Sequence, residues 1–190
     1  AANRISGFIV AEPFNALAEN RGVGKILRFS ADVWKDHACC VTLMHDHDLK
    51  NRPKWSEKVV DALVEAQIWV NNHREETALI LSNRGKHQFT PHNQEILRAV
   101  LAPSSQDWQR YIDNGVIKHP HWHQARIAFQ PYPFASYLET LLLMLQKTKI
   151  AGVNQFLYQF EPQQVTQDLI ALAFVTSEIE AQDAFAHFNL

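Results

Sequence analysis

Lys25-Ile26-Leu27-Arg28-Phe29-Ser30 is the stretch on which a reading of the fold turns. It is short, β-compatible and closed by a serine suited to a helix N-cap. A helical pattern follows it over residues 31–44. There Val33, Trp34, Ala38, Val41 and Met44 recur at three- and four-residue spacings, and Asp32 sits in the first turn, where the helix dipole favours an anion. His45-Asp46-His47-Asp48 is polar and is expected to end that helix. Asn51-Arg52-Pro53 restarts the chain, since Asn51 can cap and Pro53 fits a first helical turn. Trp55, Val59, Leu63, Ala66 and Val70 then draw one apolar stripe along a long helix, and the pattern extends through Asn71-Asn72-His73 toward Leu81.

Upstream, Gly7-Phe8-Ile9-Val10 reads as a short strand or part of an N-terminal arm over residues 1–19, which Pro13 interrupts. Asn20-Arg21-Gly22-Val23-Gly24 is a turn. Downstream, a turn at residues 83–86 precedes a helix at 92–101 that Pro103 closes. Residues 115–133 read as loop and strand, with 125–129 the extended piece. Residues 134–146 form a strongly apolar buried helix, and 164–187 hold one or two more.

The chain has 190 residues and 21.8 kDa, enough for one full core but not for two large domains. Apolar residues at 46% and charged residues at 20% describe an ordinary folded protein. The longest apolar run, 137–145, is interrupted by Glu139 and falls short of a membrane span. Residues 1–6 lack a signal-peptide core, and the two cysteines, Cys39 and Cys40, are adjacent, which leads us to expect a reducing, cytoplasmic setting with one cysteine in the core. The net charge of −2 hides an asymmetry. Residues 21–58 carry eight Lys/Arg against five acids, whereas residues 151–190 carry five acids and no Lys or Arg. Such a chain can present a basic face while remaining acidic overall.

A short strand followed by two helices is the layout of the ribbon-helix-helix DNA-binding proteins of the MetJ and Arc group, whose paired strands lie in the major groove. The fold class expected is therefore mainly α, with an N-terminal ribbon-helix-helix at residues 20–83 and a helical C-terminal extension at 84–190 that contains minor strand. Strand parity turns Leu27 and Phe29 inward and Ile26 and Arg28 outward, with Lys25 reaching back along its stem. Lys25, Ile26 and Arg28 are thus the candidate base contacts. The start of the second helix supplies Asn51, Arg52, Lys54, Ser56 and Lys58 for DNA phosphates. Leu27, Phe29, Trp34, Trp55, Val59 and Leu63 would form the dimer core. The partners expected are double-stranded DNA and a second copy of the chain, since an isolated strand pair is only marginally stable. No membrane partner, metal, cofactor or catalytic residue is expected.

Two blocks also carry a family resemblance: Leu27-Arg28-Phe29-Ser30-Ala31-Asp32-Val33-Trp34, and the aromatic and proline-rich Phe129-Gln130-Pro131-Tyr132-Pro133-Phe134-Ala135-Ser136-Tyr137-Leu138. In these the chain resembles the AcaB-like transcriptional activators of conjugative plasmids and integrating conjugative elements. The resemblance implies a dimeric, non-enzymatic ribbon-helix-helix regulator that activates transfer genes at promoter DNA. The helical C-terminal part would extend the dimer, orient it on DNA or meet a partner such as the transcription machinery.

The competing reading is a His-rich metal-dependent hydrolase acting on phosphate esters. His119-Pro120-His121-Trp122-His123 would place three imidazoles on one face of a strand. His45-Asp46-His47-Asp48 offers a His-Asp pair that would need further ligands from His37, His73, His87 or His92. A helical adaptor without nucleic acid is the third possibility.

Overall fold

The computed structural model describes residues 4–149, 155–185 and 188, and among them every regular element is a helix. Two compact units divide the chain. Unit 1 takes residues 1–42 and 69–129, and unit 2 takes residues 43–68 and 130–190.

In unit 1, α1 (Phe14–Asn20) packs its buried Ala16 against Ile96 and Val100 of α5 (Gln94–Leu101). α4 (Arg74–Leu81) lies on the same helix, with Ala78 against Leu97 and Leu101. The sequence places α5 well. Asn93 caps it by accepting from Ile96 N–H at 2.9 Å, and its apolar residues fall on one face. α6 (Ser105–Asp113) is capped in the same way by Ser104, which accepts from Asp107 N–H at 3.1 Å. A further cluster joins Tyr111, Val116 and Ile117 to Phe29, with Ile26 and Trp108 against it.

In unit 2, α2 (Asp46–Asn51) leads into α3 (Pro53–Asn72), whose last turn, from Trp69, counts with unit 1. Val64 meets Ile179 of α9 (Leu172–Ala181), together with Ala184 and Phe188. α7 (Ala135–Lys147) and α8 (Pro162–Leu169) pack as neighbours, with a 3-10 turn at Gln155–Gln159 between them.

Several expectations fail here. The mainly α content holds, but the ribbon-helix-helix does not, because no strand exists among the described residues. Residues 25–29 are extended without a ladder partner. Ile26 and Phe29 pack on Tyr111, Val116 and Ile117 while Leu27 is 88% exposed, so Ile26 and Leu27 face opposite to the expected parity and Phe29 falls out of alternation with Ile26. The strand that required a second copy is thus missing. Neither 7–10 nor 125–129 is a strand either.

The helix expected over 31–44 is a single 3-10 turn, Ser30–Asp32. Asp32 spends its carboxylate on tertiary partners, and Asp36 at φ 54° breaks any continuation. His45-Asp46-His47-Asp48 starts a helix instead of ending one. His45 Nδ1 accepts from His47 N–H at 3.0 Å, and Asp46 and Asp48 sit in the first turn. Along α3 the buried phase is Ser56, Val60, Val64 and Ile68, one position on from the expected stripe; Trp55 and Leu63 are exposed. α3 also ends at His73 (φ −129°, ψ 46°), separate from α4. Cys39 and Cys40 are both exposed free thiols, and neither is in the core.

Candidate functional site

Unit 1 holds two adjoining buried polar clusters. The first is centred on Asp32, whose side chain is fully buried. Its Oδ1 accepts from the backbone N–H of His119 at 2.7 Å and of Lys118 at 2.9 Å. Its Oδ2 accepts from Arg28 Nη1 at 2.7 Å. Burial alone would raise the Asp32 pKa. The Arg28 guanidinium and the two backbone donors outweigh it and hold the carboxyl at about 2.

His123 lies beside this carboxylate, its Nε2 3.8 Å from Asp32 Oδ1 and its ring edge-on to Trp108 at 5.2 Å. Neither ring nitrogen meets hydrogen-bond geometry, although Asp32 and the Ala125 backbone are close. Burial lowers the His123 pKa despite that carboxylate, so the ring is held neutral.

The second cluster is built on Arg126, whose side chain is only 4% exposed. Its Nη1 donates to Glu12 Oε1 at 3.2 Å, and its Nη2 donates to both Glu19 and the Tyr111 hydroxyl. That hydroxyl donates in turn to Glu19 Oε2 at 2.9 Å. Glu12 also accepts from Ala16 N–H at 3.1 Å, so it fixes the start of α1. The guanidinium lies 5.3 Å from the Tyr111 ring centroid and 5.5 Å from that of Phe29, within cation–π range. Burial pushes the Tyr111 hydroxyl up to about 12, with Glu19 adding to it and Arg126 opposing. Arg74 supplies a third fastening. It donates to the carbonyls of Leu101 at 3.2 Å and Ile127 at 3.0 Å, and to Asn71 Oδ1 at 2.8 Å. Asn71 in turn donates to Phe129 O at 2.9 Å.

The chemistry of these groups is mainly that of positioning. Two carboxylates face one guanidinium at Arg126, a balance that locks α1 to residues 126–129 and does not attract an anion. Among the described residues, the fully buried side-chain donors without a hydrogen-bond partner are Arg126 Nε and, in one tautomer, a ring nitrogen of His123. A separate groove of about 340 Å³ lies at the N-terminus of α5, lined by Arg84, Asn93, Gln94, Glu95 and Arg98. There Arg98 Nε donates to Glu75 at 2.8 Å, and the Asn93 side-chain oxygen accepts from Ile96 N–H at the cap.

The DNA-contact residues expected from sequence fall in two different units. Lys25 is exposed, Ile26 is packed on the Phe29 cluster, and Arg28 is paired with Asp32, all in unit 1. The phosphate set lies in unit 2. Asn51 Nδ2 donates to His47 O at 2.9 Å, and Arg52 bonds Asp48 while lying 4.2 Å over Trp55. Ser56 is buried, its hydroxyl donating to Asp48 O at 3.1 Å, and Lys54 and Lys58 stand exposed without an ion pair among the described residues. Of the expected dimer core, Phe29 is buried within its own unit, Trp34 and Val59 are half-buried, and Leu27, Trp55 and Leu63 are exposed.

The histidine motifs fare no better as ligands. His119 stacks on Trp122 at 4.0 Å, His121 is exposed, and no metal-holding group of three or more His, Cys, Asp or Glu exists among the described residues. The sequence reading passed over Glu12, Glu19, Tyr111 and Arg126. A signal was there: Glu12 stands among Phe8, Ile9, Val10 and Phe14, and Arg126 beside Ile127 and Phe129. A charge embedded in apolar chain tends to be buried and paired.

Comparison with known proteins finds a family model and a curated relative, each similar to part of the chain. The model of the NMT1-like family matches residues 1–82. The nitrate/nitrite binding protein NrtA of Nostoc sp. is 31% identical over 84 residues, which are 43% of this chain and 19% of that relative. The chain therefore spans about a fifth of the length of the curated relative it matches. No solved structure matches. The similarity to a relative named for binding nitrate and nitrite overturns the AcaB-like resemblance. With it fall the DNA-binding regulator of conjugative transfer and the expected partners, duplex DNA and the transcription machinery. The phosphate-ester hydrolase gains no support from either match. The relative's name describes binding and not catalysis.

Proposed function

We propose that this chain contributes to the binding of a small oxyanion of the nitrate type, with no catalytic step. The observation that carries this reading is the 31% identity over 84 residues to a nitrate/nitrite binding protein. The residues that anchor unit 1 from the matched segment, Glu12, Glu19, Arg28, Asp32 and Arg74, are committed to internal partners. The matched segment thus carries the scaffold's polar fastenings. An anion needs converging N–H donors in excess of carboxylates, and Arg126 with its two glutamates has the opposite balance.

The test is isothermal titration calorimetry of the chain with nitrate and with nitrite, at ionic strength held constant by chloride. Saturable one-to-one heat with either oxyanion is expected. Heats indistinguishable from dilution for both would sink the proposal.

A further inference from the structure

In unit 2, α7 and α8 border an open groove of about 1160 Å³. Its apolar floor includes Leu142, Leu143, Phe160, Val165 and Leu169. Three of these are far from covered: Leu169 is 69% exposed, Leu143 47% and Phe160 45%. The connection between the helices is held by Gln146, whose Nε2 donates to Leu157 O at 2.8 Å and Phe160 O at 2.9 Å. The groove is therefore bordered by packed, hydrogen-bonded chain.

Its rim has one sign of charge. Glu139, Glu161 and Asp168 line it, and among the described residues no lysine or arginine does. Asp168 accepts from the neutral Gln164 at 3.0 Å, and none of the three carboxylates takes part in an ion pair among the described residues. The sequence adds to this imbalance, with no Lys or Arg anywhere in residues 151–190. An apolar floor inside an acidic rim is complementary to an amphipathic helix whose polar face is basic. A helix about 10 Å across, rising 1.5 Å per residue, fills roughly 120 Å³ per residue. The groove then has room for about ten residues, enough for apolar anchors at i, i+3 or i+4, and i+7.

We propose that this groove receives a basic amphipathic helix from a partner protein. Anionic lipid is disfavoured by the same three carboxylates. The proposal is independent of oxyanion binding by the chain.

The experiment uses the full chain and two fluorescent peptides three to four turns long, with leucines at identical positions and either lysine or glutamate elsewhere. Anisotropy titrations at low salt are expected to show the lysine peptide binding at least tenfold more tightly than the glutamate peptide. Added salt should narrow the gap. In Glu161→Gln/Asp168→Lys the preference should collapse, and Leu169→Ser should weaken both peptides. These positions are exposed, so folding is retained, which circular dichroism checks. Equal affinities for the two peptides, a preference unchanged by the charge variant, or no binding of either overturns the proposal. So does sedimentation showing a self-associated chain that Leu169→Ser dissociates, because the occupant is then a second copy.

Discussion

Asp32 concentrates more of unit 1's polar chemistry than any other residue in it. A fully buried carboxylate that accepts from Arg28 and from the N–H groups of Lys118 and His119 leaves no room for an amide in its place. In Asp32→Asn the new NH2 must face one of those donors. A loss of about 1–3 kcal/mol is expected, read as a lowered thermal midpoint. Acid sensitivity has a definite sign. The carboxyl titrates near 3.8 when unperturbed and near 2 in the fold, so on acidification the unfolded chain takes up its proton first. Its stabilisation is present above about pH 4 and disappears as the pH falls toward 2. His123, lowered from 6.5 by burial, acts in the same direction from a higher pH. Thermal melts across this range should fall less steeply below pH 4 for Asp32→Asn than for the wild type; parallel curves would refute the assignment.

Tyr111 gives the alkaline counterpart. Its hydroxyl is raised from 10 to about 12, so the unfolded chain ionises first and stability is lost between those values as pH rises. Tyr111→Phe should remove that alkaline loss, at a cost near neutrality of about 1–2 kcal/mol from the orphaned Glu19 and Arg126 groups. Denaturant midpoints at neutral and alkaline pH decide it. An alkaline loss as large in the variant as in the wild type would place its source elsewhere.

At the scale of elements, the turn after α4 depends on one glycine. A Cβ on Gly85 would lie 2.2 Å from Ile80 O and 2.8 Å from Leu79 O, both main-chain atoms of α4. Backbone cannot yield as a flexible side chain does, so Gly85→Ala should cost on the order of 3 kcal/mol. The exposed capping change Asn93→Ala should cost only about 1. Chemical denaturation of the two variants orders them, and a harmless Gly85→Ala would contradict the close approach.

The contrast shows which elements were legible in the sequence. α5 was readable because its cap, its apolar face and its closing proline agree. α3 was readable as a helix but not in phase, because residues 55–63 and 56–64 both supply apolar positions. Only the partners Ile179, Ala184 and Phe188 select the second set. The false helix at 31–44 had correct spacing, yet Asp32 finds better partners some 86 residues away than a helix dipole could give. Residues 25–29 were misread because an extended segment can be fixed by side-chain packing without a neighbouring strand.

At the scale of the whole chain, the similarity and the folding units have different boundaries. The family match ends at residue 82, but neither compact unit does. Within the matched segment, Glu12 and Glu19 depend on Arg126 and Tyr111, and Asp32 on Lys118 and His119. Phe29 depends on Tyr111, Val116 and Ile117. Residues 43–68 belong to unit 2, where Val64 is buried by Ile179, Ala184 and Phe188. Glu12, Glu19, Phe29, Asp32 and Val64 thus each draw on residues beyond the matched segment. A fragment ending at residue 82 would leave Glu12, Glu19 and Asp32 with solvent in place of their main partners and would expose Phe29 and Val64. Its remaining apolar burial is too small to offset chain entropy. The 1–82 fragment should therefore show no cooperative thermal transition and sharp amide resonances should be absent from the folded range, whereas the 190-residue chain shows both. A cooperative transition in the fragment would mean that the part matched by the NMT1-like family model folds by itself, and that the network around Arg126 and Asp32 is an addition to that fold and not a condition of it.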